Sequence, residues 1–244
     1  MELPILYEDN DMVAVNKPSG VMTHADGRSK EVTAADWFAA KYPESSMVGE
    51  TQRLQDGTEL LRPGVVHRLD RETSGVLLFA KTKEAHAHLK EVFQTRQAEK
   101  NYCAFVYGVP KEEKGTVEFS IGRSRKDFRL RSAQPKAKGL LREALTHYKV
   151  LTSTDTHSFL KVVPKTGRTH QIRVHLKAIH HPVVCDPLYA PNHACDLGFS
   201  RLALHAYSLT IPTLEGKEVT ITAELPLEFK EALKVFREPT EALP

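Results

Sequence analysis

One unbroken apolar run, Gly75-Val76-Leu77-Leu78-Phe79-Ala80, constrains this chain first. It has the length of a strand buried on both faces, and it lies between a polar turn and an amphipathic segment. In residues 83–97, Ala85, Leu89, Val92 and Phe93 recur near helical spacing, which predicts a helix with Thr82 as its N-cap. The same reading continues along the chain. Residues 5–7 and 12–15 are short strands around a turn at 8–11, residues 33–42 form a helix closed by Pro43, and residues 45–58 form a polar loop. Strands follow at 102–107, 146–151, 158–163, 202–211 and 218–223, and helices at 170–179 and 226–236, the first of these started by Thr166 or Thr169. Strands outnumber helices without alternating with them, so the expected fold class is α+β, with a mixed, mainly antiparallel central sheet flanked by helices and loops. No repeat or linker divides the sequence, and a single domain over 1–244 is expected.

The charge is unevenly placed. The whole chain carries only +3, yet residues 122–142 carry +7, from eight basic residues opposed by Asp127 alone. This island contains Arg123, Arg125, Lys126, Arg129 and Arg131, and a hairpin is expected within it. Such a patch on an otherwise mildly acidic chain suits a polyanion partner, although a solvated Lys/Arg-rich loop has the same composition. Three cysteines, Cys103, Cys185 and Cys195, make no disulfide framework, and an odd count suits a reducing compartment. There is no leader-like apolar segment, and no stretch approaches the roughly 20 apolar residues of a membrane span. A cytoplasmic protein with no membrane partner is expected, and a monomer, because no coiled-coil or swapping signal appears.

Two segments carry chemistry. In His67-Arg68-Leu69-Asp70-Arg71-Glu72-Thr73-Ser74-Gly75 a carboxylate sits in a polar turn between two arginines. Neighbouring cations favour the charged form that a nucleophile or base requires. A turn-capping Asp among surface arginines has the same sequence. The second segment, Gly167-Arg168-Thr169-His170-Gln171-Ile172-Arg173-Val174-His175, gathers cations at a helix start, where backbone N–H groups also favour anions. At helical spacing, Arg168, Ile172 and His175 share one face, and Thr169, Arg173 and Lys177 another. A capped, Arg-rich surface helix is the alternative.

Together these segments resemble the RluA-like family of RNA pseudouridine synthases. His67-Arg68-Leu69-Asp70 followed by Thr73-Ser74-Gly75 is similar to the family's active-site motif, and Lys100-Asn101-Tyr102 to its Lys-x-Tyr strand. The segment from Gly167 to His175 is similar to its third motif. Asn16-Lys17-Pro18-Ser19-Gly20, Ala144-x-Thr146-x-Tyr148, Asp186-x-x-Tyr189 and Leu204-His205-Ala206 resemble weaker signatures, all in family order. The resemblance implies isomerisation of a uridine in structured RNA, large-subunit rRNA or tRNA, with no cofactor and no metal. It implies that Asp70 is catalytic, that Tyr102 stacks on the flipped base, and that Arg173 pairs with Asp70. Arg68 would fill the space that the uridine leaves, with His67, Arg168 and Ile172 beside the substrate. Cys185 and Ala190 stand where the family's Gly-Asp-x-x-Tyr-Gly string has glycines, which bears on local loop shape. An N-terminal domain of the ribosomal S4 type, frequent in the family, is expected to be missing because catalytic-domain sequence begins by Ile5. RNA docking would then fall to the basic island.

Other classes fit less well. A glycosidase needs two carboxylates roughly 5–10 Å apart, and only Glu72 neighbours Asp70 in sequence. His175, His180, His181, Cys185 and Cys195 match no tight metal-ligand spacing. Phosphate-binding loops of the G-x-x-x-x-G-K-[ST] or G-x-G-x-x-G type are absent, so no nucleotide cofactor is expected. Cys103, in an apolar strand, reads as packed rather than nucleophilic. The alternative from another class is a non-catalytic RNA-binding or RNA-folding protein on the same domain.

Overall fold

In the computed structural model, the apolar run is a strand whose residues Ser74–Ala80 are all buried. The structure describes residues 1–236 except 28, 54–56, 126, 128, 129, 134–136 and the side chain of Lys138. Lys126 and Arg129, two of the basic residues singled out above, therefore lie outside the described residues. The chain divides into two compact units, Met1–Glu99 with Ser208–Ala223, and Lys100–Tyr207 with the C-terminal segment from Glu224.

In the first unit, β1 (Ile5–Glu8) pairs antiparallel with β2 (Met12–Lys17). Asp9 makes the turn between them, its carboxylate accepting from the backbone N–H groups of Asp11 and Met12 at 2.8 Å each. Helix α1 (Ala34–Lys41) starts with a reciprocal cap. The Asp36 N–H donates to Thr33 Oγ1, and the Thr33 N–H donates to the Asp36 carboxylate. Pro43 opens a short 3-10 turn, Pro43–Ser45. The loop expected over 45–58 instead contains β3 (Gly49–Arg53), which pairs with β4 (Glu59–Pro63). The residues of this ribbon are mostly exposed in β3 and only partly buried in β4, so it carries none of the apolar alternation by which a half-buried strand is recognised. The buried run is β5 (Ser74–Ala80), aligned on β2 from Met12↔Ala80 to Lys17↔Gly75. Helix α2 (Lys83–Gln94) is capped by Thr82, as its spacing predicts, and packs Leu89 and Val92 against Met12, Val76 and Leu78. It ends before 97 because Arg96 adopts φ +65°, outside helical backbone.

In the second unit, β6 (Glu99–Tyr107), β7 (Lys114–Val117), β11 (Thr146–Ser153) and β12 (His157–Pro164) form antiparallel ladders in the order β6-β12-β11-β7. Between β7 and β11 the basic island builds a three-stranded sheet from β8 (Ile121–Ser124), β9 (Arg131–Ala133) and β10 (Ala137–Arg142), with β8 central. Helix α3 (Gln171–Ala178) follows. Strand β13 (Leu204–Pro212) begins in this unit and ends in the other, where it pairs with β14 (Glu218–Thr222). Helix α4 (Leu227–Leu233) closes the described chain. The core of this unit gathers Phe105, Phe159, Phe199 and Phe229, with ring centroids 4.6–5.5 Å apart around Phe105. The fold is α+β and mainly antiparallel, as the strand count implies.

Candidate active site

In the first unit, the Asp70 turn is held from below. Leu69 is buried and is clamped by Thr23, whose hydroxyl donates to the Leu69 carbonyl at 3.0 Å and accepts from its N–H at 3.1 Å. The Thr73 N–H donates to the Asp70 carbonyl, closing the turn. Lys17 supplies a second clamp. Its side chain is fully buried, and its ammonium donates to the carbonyls of Pro18, Val21 and Arg71 at 2.8, 2.8 and 3.1 Å. Ser19 donates to the Glu72 carbonyl, and the Gly20 N–H to that of Arg71. The string from Asn16 to Gly20, a weak signature in the sequence, is thus the strap of the Asp70 turn. Asp70 is half-buried on this platform and Arg68 is exposed beside it. His67 points its ring onto Phe93 with centroids 4.6 Å apart, and its Nε2 accepts from the Leu78 N–H. Nearby, burial pushes His24 from the ordinary 6.5 down to about 4. A hydrogen bond to the Ala25 carbonyl opposes the shift, while the charges of Arg62 and Arg68 add to it.

In the second unit, Tyr102 stands half-buried on β6 opposite Val162 and packs against the aromatic core. Cys103 beside it is fully buried, and burial pushes its thiol up to about 12, which suits packing and not nucleophilic attack. Arg173, 2% exposed, lies in the first turn of α3 and grips Asp186 with two hydrogen bonds of 2.8 Å, from Nε to Oδ2 and from Nη2 to Oδ1. Asp186 also accepts from the N–H groups of Leu188 and Tyr189 at 2.9 and 3.0 Å. The Tyr189 ring lies under the guanidinium, 5.0 Å from Cζ to centroid. Its hydroxyl meets His170 Nδ1 at 2.9 Å and accepts from the Arg131 N–H at 2.9 Å. A carboxylate and an aromatic ring thereby fix the orientation of Arg173.

The start of α3 differs from expectation. Neither Thr166 nor Thr169 caps it. The N-cap is His170 in left-handed backbone, φ +57°, with no side-chain cap. Thr166 is engaged elsewhere, donating to Gln171 Oε1 at 2.7 Å. Gln171 uses its whole amide to lock the preceding loop: Oε1 also accepts from the Arg168 N–H, and Nε2 donates to the Leu145 carbonyl and to Thr146 Oγ1. Arg168 and Thr169 therefore sit in a fixed loop and not on a helix face. Ile172 is 7% exposed and its side chain belongs to the core. His175 is buried, bridging Thr146 Oγ1 and the Phe119 carbonyl, and burial lowers its pKa.

Cys185 and Cys195 are joined as a disulfide, with Cα atoms 4.4 Å apart. The odd cysteine count gave no sign of this pair, because spacing alone does not reveal which loop brings two thiols together. Cys185 adopts φ +56°, so its backbone keeps the conformation a glycine would take at that place in the motif. Among the described residues no group of three or more His, Cys, Asp or Glu is arranged to hold a metal, and no helix is long and apolar enough to cross a membrane. Arg123 and Arg125 are exposed on β8 and just beyond it.

The Asp70 turn lies in the first unit, and Tyr102 and Arg173 lie in the second, on a mainly antiparallel α+β scaffold. The family model for RNA pseudouridylate synthase matches residues 11–178. An RNA pseudouridine synthase of Synechocystis is 37% identical over 97% of this chain and 69% of its own length. The ribosomal large subunit pseudouridine synthase D of Neisseria meningitidis is 38% identical over 97% of this chain, which spans 62% of that relative. Among solved structures, human RNA pseudouridylate synthase domain containing 4 aligns with TM-score 0.74 and 26% identity over 97% of this chain and 95% of that one. The chain belongs to the RNA pseudouridine synthase family, whose members are isomerases.

Proposed function

We propose that the whole chain works as one catalytic domain that converts a uridine of structured RNA to pseudouridine, with Asp70 as the catalytic carboxylate. The ordered set of motifs around Asp70, Tyr102 and Arg173 carries this reading, and family membership supports it. The target atoms of a stacked uridine are hidden, so the nucleotide is flipped out of its helix. Tyr102 offers the ring on which the base stacks, worth about 1–3 kcal/mol. Arg68 fills the vacated space. Arg173, its guanidinium oriented by Asp186 and Tyr189, pairs with Asp70. His67 and Arg168 lie beside the substrate; Ile172, for which the resemblance implies the same place, has its side chain in the core of the second unit. The N1–C1′ bond breaks, the uracil turns, and C5 bonds to C1′; N1 gains a proton and C5 loses one. No oxidant, donor or cofactor enters this balance. The name of the Neisseria relative favours large-subunit rRNA over tRNA as the source of the uridine. The protein acts as a monomer in the cytoplasm.

Pseudouridine mapping of total RNA, from cells with the gene, without it, and with Asp70→Asn restored, tests the proposal. Loss of one or a few sites that the Asn form does not restore is the expected result. Full restoration by Asp70→Asn would refute the role of Asp70. Purified wild-type protein that binds unmodified RNA without forming pseudouridine would establish the non-catalytic alternative.

A further inference from the structure

The three-stranded sheet of the basic island and the loop before α3 enclose a pocket of about 520 Å³, within the range of ligand sites. Arg123, Arg131, Arg142 and Arg168 line it together with Leu140, and no acidic side chain is among its described lining residues. Arg123 and Arg131 are direct partners across β8 and β9, which puts two cations side by side on one face. Like charges at such positions destabilise a sheet unless something neutralises them. Among the described residues no ion pair holds Arg123, Arg131 or Arg142. The floor of the pocket is rigid, because Gln171 locks the Gly167–Thr169 loop and the Arg168 Nε donates to the Glu143 carbonyl at 3.0 Å. Leu140, 79% exposed, adds an apolar face to this cationic wall.

We infer that this pocket is a phosphodiester site, which clamps the backbone of the bound RNA strand with Arg123, Arg131 and Arg142 and sets Leu140 against a sugar or base. The inference rests on the reading of the protein as RNA-directed, and it explains why two arginines are placed opposite each other without a carboxylate. The chemistry calls for planar, forked donors matched to phosphate oxygens, which arginine supplies. One further contact ties the site to the α3 helix. The Arg131 N–H donates to the Tyr189 hydroxyl, and Tyr189 supports Arg173.

The test is binding of a fluorescein-labelled uridine octanucleotide to the full chain across a range of salt, comparing wild type, the double variant Arg123→Gln/Arg131→Gln and the charge-keeping Arg131→Lys. Two lost phosphate contacts should weaken binding about tenfold or more and reduce the salt slope by about 1.4, at about 0.7 per single-strand phosphate. The double variant should melt no lower than wild type in phosphate-free buffer, since a like-charge pair has been removed, and the Lys variant should keep most of the affinity. Unchanged affinity and slope in the double variant would overturn the inference. So would a Lys variant as weak as the Gln form, because charge would then not be the cause. Uridine monophosphate binding as tightly as the octanucleotide would overturn it too, marking a mononucleotide site instead. Binding is read without turnover, so these outcomes stand whether or not Asp70 is catalytic.

Discussion

Replacing Asp186 with Asn should both loosen the fold and slow the reaction, through a single guanidinium. The Asp186 side chain is fully buried and accepts four hydrogen bonds, two from Arg173 and two from backbone N–H groups. An Asn keeps Oδ1, and with it the contacts to Leu188 and Tyr189, but turns an amide N–H₂ toward the Arg173 Nε, donor against donor. The buried arginine then loses the charge of Asp186 and the bond from its Nε, keeping only the one to Oδ1 on this side. Removing one partner of a buried pair costs about 3–5 kcal/mol, a large share of the ordinary 5–15 kcal/mol of native stability. Urea unfolding should therefore show a lower midpoint with an unchanged slope. Misplacement of a positioned group by about 1 Å costs on the order of 10²-fold in rate. At a temperature where the variant remains folded, kcat on unmodified substrate RNA should fall by about that factor while RNA affinity stays near wild type. A loss of stability below about 1 kcal/mol would refute the argument that the pair is the anchor of this helix start. A normal kcat would refute the argument that Arg173 must be held by Asp186 to work.

Two further expectations follow from the first unit. Lys17→Met should take the ammonium away from three part-buried carbonyls, that of Arg71 keeping the Gly20 N–H, and cost about 1–3 kcal/mol; it should lower activity by loosening the Arg71 end of the Asp70 turn. Unchanged stability on urea titration would refute the strap. His24 is held near 4 in the folded chain against an ordinary 6.5, so the unfolded chain binds the extra proton and stability rises with pH. Its contribution is complete above about 6.5 and is lost as pH falls toward about 4. The loss is at most about 3 kcal/mol, nearer 2 after screening. The wild type should therefore lose more stability between those pH values than His24→Gln does, and parallel curves would refute the assignment.

The parts of the fold that were legible in the sequence are those fixed by local periodicity. The β5 strand, the Thr82 cap of α2 and the β11–β12 pair all announce themselves in short contiguous stretches of sequence. The β3–β4 ribbon does not, because its residues are exposed or only partly buried and show no alternation. The start of α3 is hidden for a different reason. Thr166 has the right side chain for a cap, but a long-range hydrogen bond to Leu145 and another to Gln171 engage it, and the helix begins later at His170. The Asp70 turn and the α3 segment could be recognised from their motifs, whereas the groups that hold each of them could not. Lys17 reaches a carbonyl 54 residues away, and Asp186 meets Arg173 across 13 residues of helix and loop. Neither pairing leaves a mark on local sequence. The Cys185–Cys195 link was hidden in the same way.

The cations of this chain separate by what the fold does with them. Lys17 and Arg173 are buried, and each is met by several oxygens, backbone carbonyls in one case and a carboxylate in the other. Burial without such partners would cost more than the fold could offset. Both cations therefore belong to the framework that holds Asp70 and α3 in place, even where a motif marks them as functional. Arg123 and Arg131 are treated the opposite way. They are set directly opposite each other at the wall of a pocket, in an arrangement that folding alone would disfavour. A charge placed against the interests of the folded state is the better pointer to a ligand, and here it points to phosphate. Arg173 of the third motif is thus met by protein oxygens, whereas Arg123 and Arg131 of the basic island are, on the inference above, met by phosphate oxygens.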